Sequence, residues 1–169
     1  MKKVNIADIT LKKLSEDRAV SLLFREKSAI ANCADLLGVD AIELPPVKSL
    51  REDTIIYRTI AQNVQNAVLA IPVGFSSDEV AAAWECVKEA KQPRLQIELP
   101  VSTIQMEYMY HIKQAKMIEK IAELTKAAKA VCDEIINLHK GTLEISSVFG
   151  EGTEVNITLP TLPVNLYER

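Results

Sequence analysis

The chain is short of the residues that most site chemistries need. It has 2 histidines, His111 and His139, and 3 cysteines, Cys33, Cys86 and Cys132, all far apart and without a Cys-x-x-Cys pair. That spacing excludes a zinc-finger ligand set and a disulfide framework. The thiols read as small apolar residues on helix faces of a cytoplasmic protein. Glycine is scarce, 5 in 169 residues, and no Gly-x-Gly-x-x-Gly follows the first predicted strand. The best marker of a dinucleotide-binding fold is therefore missing. Neither charge sign dominates: 20 Lys and Arg stand against 23 Asp and Glu, a net charge of −3. A nucleic-acid partner, which needs a basic patch, is not expected. No apolar run reaches the roughly 18 residues of a membrane span. MKKVNIADITL has a basic start, but its apolar run is short and Asp8 interrupts it, so it reads as a strand and not a signal peptide. Aromatic residues make up 5%, and Trp84 reads as a core residue rather than a ligand platform.

What the chain does have is apolar patterning, with 48% hydrophobic residues. Residues 3–8 alternate around Val4 and Ile6 and predict a short strand, and 9–22 read as a charged loop. A helix is expected over Phe24 to Leu37, with Ile30, Cys33 and Leu37 on its inner face and Gly38 past its end. Val39 to Leu44 predicts a strand, Leu50 to Asn66 a helix, and Ala67 to Val73 a strand. Ser76-Ser77 caps a helix over 77–90, with Glu79 in its first turn, and Arg94 to Leu99 predicts a fourth strand. After the loop 101–111 comes Ala115 to Lys140, read as one long helix. Its stripe is Met117, Ile121, Leu124, Ala128, Val131, Ile135 and Leu138. Met106, Met109 and Met117 read as gap-filling residues. Short apolar strands, each followed by a helix, mean parallel pairing with right-handed crossovers. Beyond Gly141, 142–149 and 153–159 alternate with period two around Gly150-Glu151-Gly152, an antiparallel hairpin. The expected fold class is α/β: a partial β/α barrel of four parallel units over 1–134, then the helix end and hairpin over 135–160, and a tail over 161–169.

Four segments carry a resemblance: IADITL at 6–11, LLGVDAIELP at 36–45, AAAWECVKEAKQPRLQI at 81–97 and PVSTIQMEY at 100–108. Residues 4 to about 134 thereby resemble the acyl-CoA-condensing barrels, 2-isopropylmalate synthase and homocitrate synthase, over about half of an eight-unit barrel. The resemblance implies a condensation of acetyl-CoA with a 2-oxo acid on a divalent metal, which polarises the oxo carbonyl while a base takes a methyl proton. That family's first strand ends Thr-Leu-Arg-Asp-Gly, with Arg on the oxyanion and Asp on the metal. Here Lys12 stands in place of the Arg, and Lys13 in place of the anionic ligand, where a cation cannot ligate. The family's His-x-His pair is absent, and Gln105 replaces a His. Glu43 and Ser102 match the family's active-site Glu and Ser. The resemblance thus implies Lys12, Glu43, Ser102 and Gln105 as vestigial catalytic positions, with no metal ligand and no cofactor retained. Set against this, Lys12 and Lys13 also read as solvated loop charges.

AVCDEIINLHKGTLEISSVFGEGTEVNITLP at 130–160 resembles the end of the histidine-kinase-type ATPase fold. That family's Asp-x-Gly-x-Gly and glycine-rich lid have no counterpart upstream, so ATP binding is not expected. AKAVCDEI at 128–135 fits both resemblances and reads as the junction of a chimera. The expectation from sequence is a condensing-enzyme relative without activity. The alternatives are a non-catalytic scaffold or oligomerisation module, and a kinase-type ATP-binding remnant. A small-molecule substrate is doubtful. A part-barrel leaves strand edges and an inner face uncovered, so a homodimer is expected, with no nucleic-acid or membrane partner.

Overall fold

The computed structural model describes residues 4–17, 19–99, 105–132, 135–137, 142–148 and 152–158; for Gln105, Glu107 and the last three spans it describes the backbone. Alternating strands and helices dominate it. The strands are β1 (Ala7–Asp8), β2 (Ala41–Glu43), β3 (Val68–Val73), β4 (Pro93–Ile97) and β5 (Ile135–Asn137). They form one parallel sheet in the order β1-β2-β3-β4-β5. The helices are α1 (Thr10–Glu16), α2 (Phe24–Leu37), α3 (Leu50–Asn63), α4 (Ser77–Val87) and α5 (Gln114–Lys129). Each of the first four parallel strands is followed by helix, which is the partial-barrel architecture the sequence predicts.

Strand alternation divides the sheet into two unlike faces. Ile42, Leu44, Leu69, Ile71, Val73, Leu95, Ile97 and Leu99 join one core cluster with Ile60, Val80, Val87, Met117, Ile121 and Leu124 from the helices. The alternate positions are Ala41, Glu43, Ala70, Pro72, Gln96 and Glu98, which are small or polar. The outer face supplies the hydrophobic driving force, and the inner face is left for chemistry.

Local rules explain most helix ends. Ser76 Oγ accepts the Glu79 N–H at 3.2 Å while the Glu79 carboxylate accepts the Ser76 N–H at 3.0 Å, a reciprocal cap on α4. A Cβ at Gly74 would meet that Glu79 carboxylate and displace it from the cap. Gly38 closes α2 at φ 77°, with its N–H on Asp35 O. Asp35 itself is buried and accepts the N–H groups of Gln65, Asn66 and Ala67 at 2.9, 2.9 and 2.7 Å. It pins the α3–β3 connection to the end of α2.

Four sequence expectations are corrected. The charged segment after β1 is helical: Asp8 accepts from the Thr10 N–H and hydroxyl, and Leu11 is buried. The inner face of α2 is Ala31, Ala34 and Asp35, whereas Cys33 and Leu37 are exposed. Met106 and Met117 are buried, but Met109 is 68% exposed. The long helix stops at Lys129, and Ile135–Asn137 is a strand, with Leu95 facing Ile135 and Ile97 facing Asn137. Adjacent β-branched residues beside an open edge of β4 favour ladder pairing over another helical turn. Strands β6 (Thr142–Val148) and β7 (Gly152–Thr158) pair antiparallel as a sheet of their own, with Ile145 facing Val155.

Candidate functional site

The inner face gathers its charge at the C-terminal ends of the strands, the end where β/α barrels carry their chemistry. Lys12 extends from α1 into this space. Its ammonium donates to Glu43 on β2 at 3.2 Å and to Glu98, just beyond β4, at 2.5 Å. The Gln96 amide also donates to Glu98, at 3.3 Å. Gln96 is buried, and the Lys12 and Glu43 side chains are 16% and 15% exposed. Burial pulls the Lys12 pKa down, but the hydrogen bonds and charges of Glu98 and Glu43 outweigh it, and the net shift is upward. Both carboxylates thus favour the protonated ammonium. It is a fixed cation between two carboxylates.

Lys13 lies elsewhere. Its side chain is 61% exposed and pairs with Glu16 at 2.8 Å on the outer side of α1. Of the four positions implied by the resemblance, Lys12 and Glu43 meet directly. Ser102 and the Gln105 side chain lie outside the described residues; the Gln105 backbone belongs to a π-helical turn over Gln105–Met109. This turn is tethered to the rim by Tyr110, which stacks on Phe75 with ring centroids 5.1 Å apart.

Glu98 and Gln96 were not singled out by the sequence analysis. A signal for Glu98 was present: Ile-Glu-Leu-Pro occurs at 42–45 and again at 97–100. The repeat places each glutamate at the same point of a strand–loop junction. In both copies Ile and Leu turn to the core and Glu turns inward.

A divalent cation does not fit this donor set. Hard cations require about six oxygen ligands, and zinc four N, S or O ligands. Among the described residues no three His, Cys, Asp or Glu side chains converge on one point. The two carboxylates that do converge are already joined by an ammonium.

The family is decided by the comparison of sequences. The model of the HMGL-like family matches residues 3–156. The chain belongs to the HMGL-like family. The match runs through 128–135, where the sequence analysis sets a junction, and on into β7. Similar curated proteins include the 2-isopropylmalate synthase of Clostridium kluyveri, 31% identical over 134 residues, covering 79% of this chain and 26% of the relative. Those of Bacillus velezensis and Lysinibacillus sphaericus are each 33% identical, over 129 and 130 residues, covering 76% of this chain and 25% of theirs. The chain thus spans about a quarter of the length of these relatives. Among the described residues no helix is long and apolar enough to cross a membrane.

Proposed function

We propose that this HMGL-like chain is a non-catalytic relative of the 2-isopropylmalate and homocitrate synthases, a cytoplasmic scaffold whose inherited site is closed by an internal ion-pair triad. The observation that carries the proposal is the Lys12 ammonium bonded to both Glu43 and Glu98. Those two bonds engage the ammonium and both carboxylates with one another, and an ammonium, unlike a bound metal ion, has no vacant coordination position to offer a 2-oxo acid. Lys13, at the position of the family's anionic ligand, faces solvent and adds nothing to the site. The test is thiol release from acetyl-CoA with 2-oxoisovalerate or 2-oxoglutarate and Mg²⁺ or Mn²⁺. The rate stays at background; turnover abolished by EDTA overturns the proposal.

In solution the chain pairs with a second copy along β1. That strand has a neighbour on one side among the described residues, and Val4 and Ile6 beside it are 78% and 59% exposed. The ATPase-like reading of 130–160 rests on its sequence resemblance alone. The parallel strand β5, where that fold has helix, weighs against it.

A further inference from the structure

A cavity of about 220 Å³ lies between α1, the 20–22 segment, α2, the 45–48 loop and α3. Its walls combine the apolar Leu11, Leu14, Leu22, Pro46 and Ile60 with the polar Lys27, Lys48, Asp53 and Tyr57. Three facts mark it as more than a packing gap.

Tyr57 is 97% buried, and among the described residues its hydroxyl meets no hydrogen-bond partner. A buried hydroxyl without a partner is costly, which makes it an acceptor's natural target. Burial, reinforced by the Asp53 carboxylate, pushes the phenol pKa upward, so it remains a donor. Second, the charge balance is positive. Among the described residues Lys27 has no carboxylate partner, and the Lys48 ammonium donates to the Ser15 carbonyl at 3.5 Å, with the Glu16 carboxylate within reach of its charge. The one acidic wall residue, Asp53, already accepts the Lys48 and Ser49 N–H groups, both at 2.8 Å. Third, the size suits a small ligand. A cavity of ~150 Å³ holds benzene, so this one holds about eight or nine non-hydrogen atoms.

We propose that this cavity binds a short aliphatic carboxylate, its head among Lys27, Lys48 and the Tyr57 hydroxyl and its tail against Leu14, Leu22 and Pro46. The donors match an anion, and a neutral or cationic head would leave them unsatisfied. The apolar walls reject a small inorganic anion, which has no surface to bury there. The site is separate from the triad, since none of Lys12, Glu43 and Glu98 lines the cavity.

Hexanoate, with 8 non-hydrogen atoms, is the probe. Saturation-transfer NMR and thermal-shift titration of the full chain are expected to give a Kd of about 1 mM or tighter, a modest efficiency for a ligand of this size. Lys27→Gln is expected to weaken binding about tenfold, and the shape-conserving Tyr57→Phe by about three- to tenfold. Circular dichroism checks that each variant is folded. Hexanol and inorganic phosphate are expected to bind at least about tenfold more weakly than hexanoate. Three results overturn the proposal: no saturable binding up to about 10 mM, hexanol or phosphate binding as well as hexanoate, or hexanoate binding unchanged in both folded variants.

Discussion

At the scale of single residues, two carboxylate arrangements with opposite pH behaviour stand out. Lys12 has a folded pKa raised above its unfolded value near 10.4 by Glu98 and Glu43, against the pull of burial. Its contribution is fully present below that value and is lost as pH climbs through the raised folded pKa. Lys12→Met leaves two carboxylates facing each other. Breaking a fully buried pair costs about 3–5 kcal/mol, and partial exposure brings the expected loss to about 1–2 kcal/mol, measurable by urea unfolding at neutral pH. Asp35 behaves in the other sense. Burial would raise its pKa, but the N–H groups of Gln65, Ala67 and Asn66 outweigh it and hold it low. Its stabilisation is present above about pH 3.9 and fades as pH falls through the lower folded value. Asp35→Asn is expected to cost about 1.5–3 kcal/mol at pH 7 and to flatten the acid-unfolding profile below pH ~4. An unchanged profile would mean that the carboxylate is not what holds the turn. Lys12 and Glu43 were legible because they sit in recognisable segments. Glu98 was not singled out: the Ile-Glu-Leu-Pro repeat marks the position, but its role shows only with a partner 86 residues away.

At the scale of elements, helices with a wide apolar stripe and a cap were readable from the chain, and short ones were not. The seven residues of α1 offer only Leu11 and Leu14 as an apolar pair, too few to establish a period. The Asp8 turn that starts it shows only in the structure. The opposite error at β5 came from extending a true stripe too far. Ile135 continues the helical spacing of α5, but pairing with Leu95 across an open edge decides its state. In α4 local and global signals agree, and the reciprocal cap gives a direct test. Ser76→Ala is expected to cost about 1 kcal/mol, read as a shift in the urea midpoint with unchanged slope. A variant as stable as the parent would show that the Glu79 carboxylate alone caps the helix.

At the scale of the whole molecule, the partial barrel raises the question of its uncovered surface. An uncovered inner face was expected from sequence. The structure corrects this, because the face carries Ala41, Glu43, Ala70, Gln96 and Glu98, and both Ala70 and Gln96 are buried. The proposed pairing along β1 would cover Val4 and Ile6, which are exposed, as are Leu36 and Leu37 in the last turn of α2 at 84% and 83%. Light scattering at micromolar concentration is expected to give twice the 18.8 kDa chain mass. Lys substituted at Ile6 should return it to one, since a charge on an edge strand opposes pairing. A parent chain already at 18.8 kDa on dilution would remove the dimer.

The central claim is that Lys12 closes the inherited site, and Mn²⁺ titration of the parent chain beside Lys12→Met tests it most directly. Calorimetry is expected to show no specific site in the parent, with any heat matching weak surface binding at about 1 mM or above. The variant, with Glu43 and Glu98 released, is expected to gain affinity by about tenfold, and paramagnetic broadening should centre on residues near those two glutamates. Tight Mn²⁺ binding by the parent, with broadening at Glu43 and Glu98, would contradict the account: it would mean that Lys12 yields to a metal and the site is open.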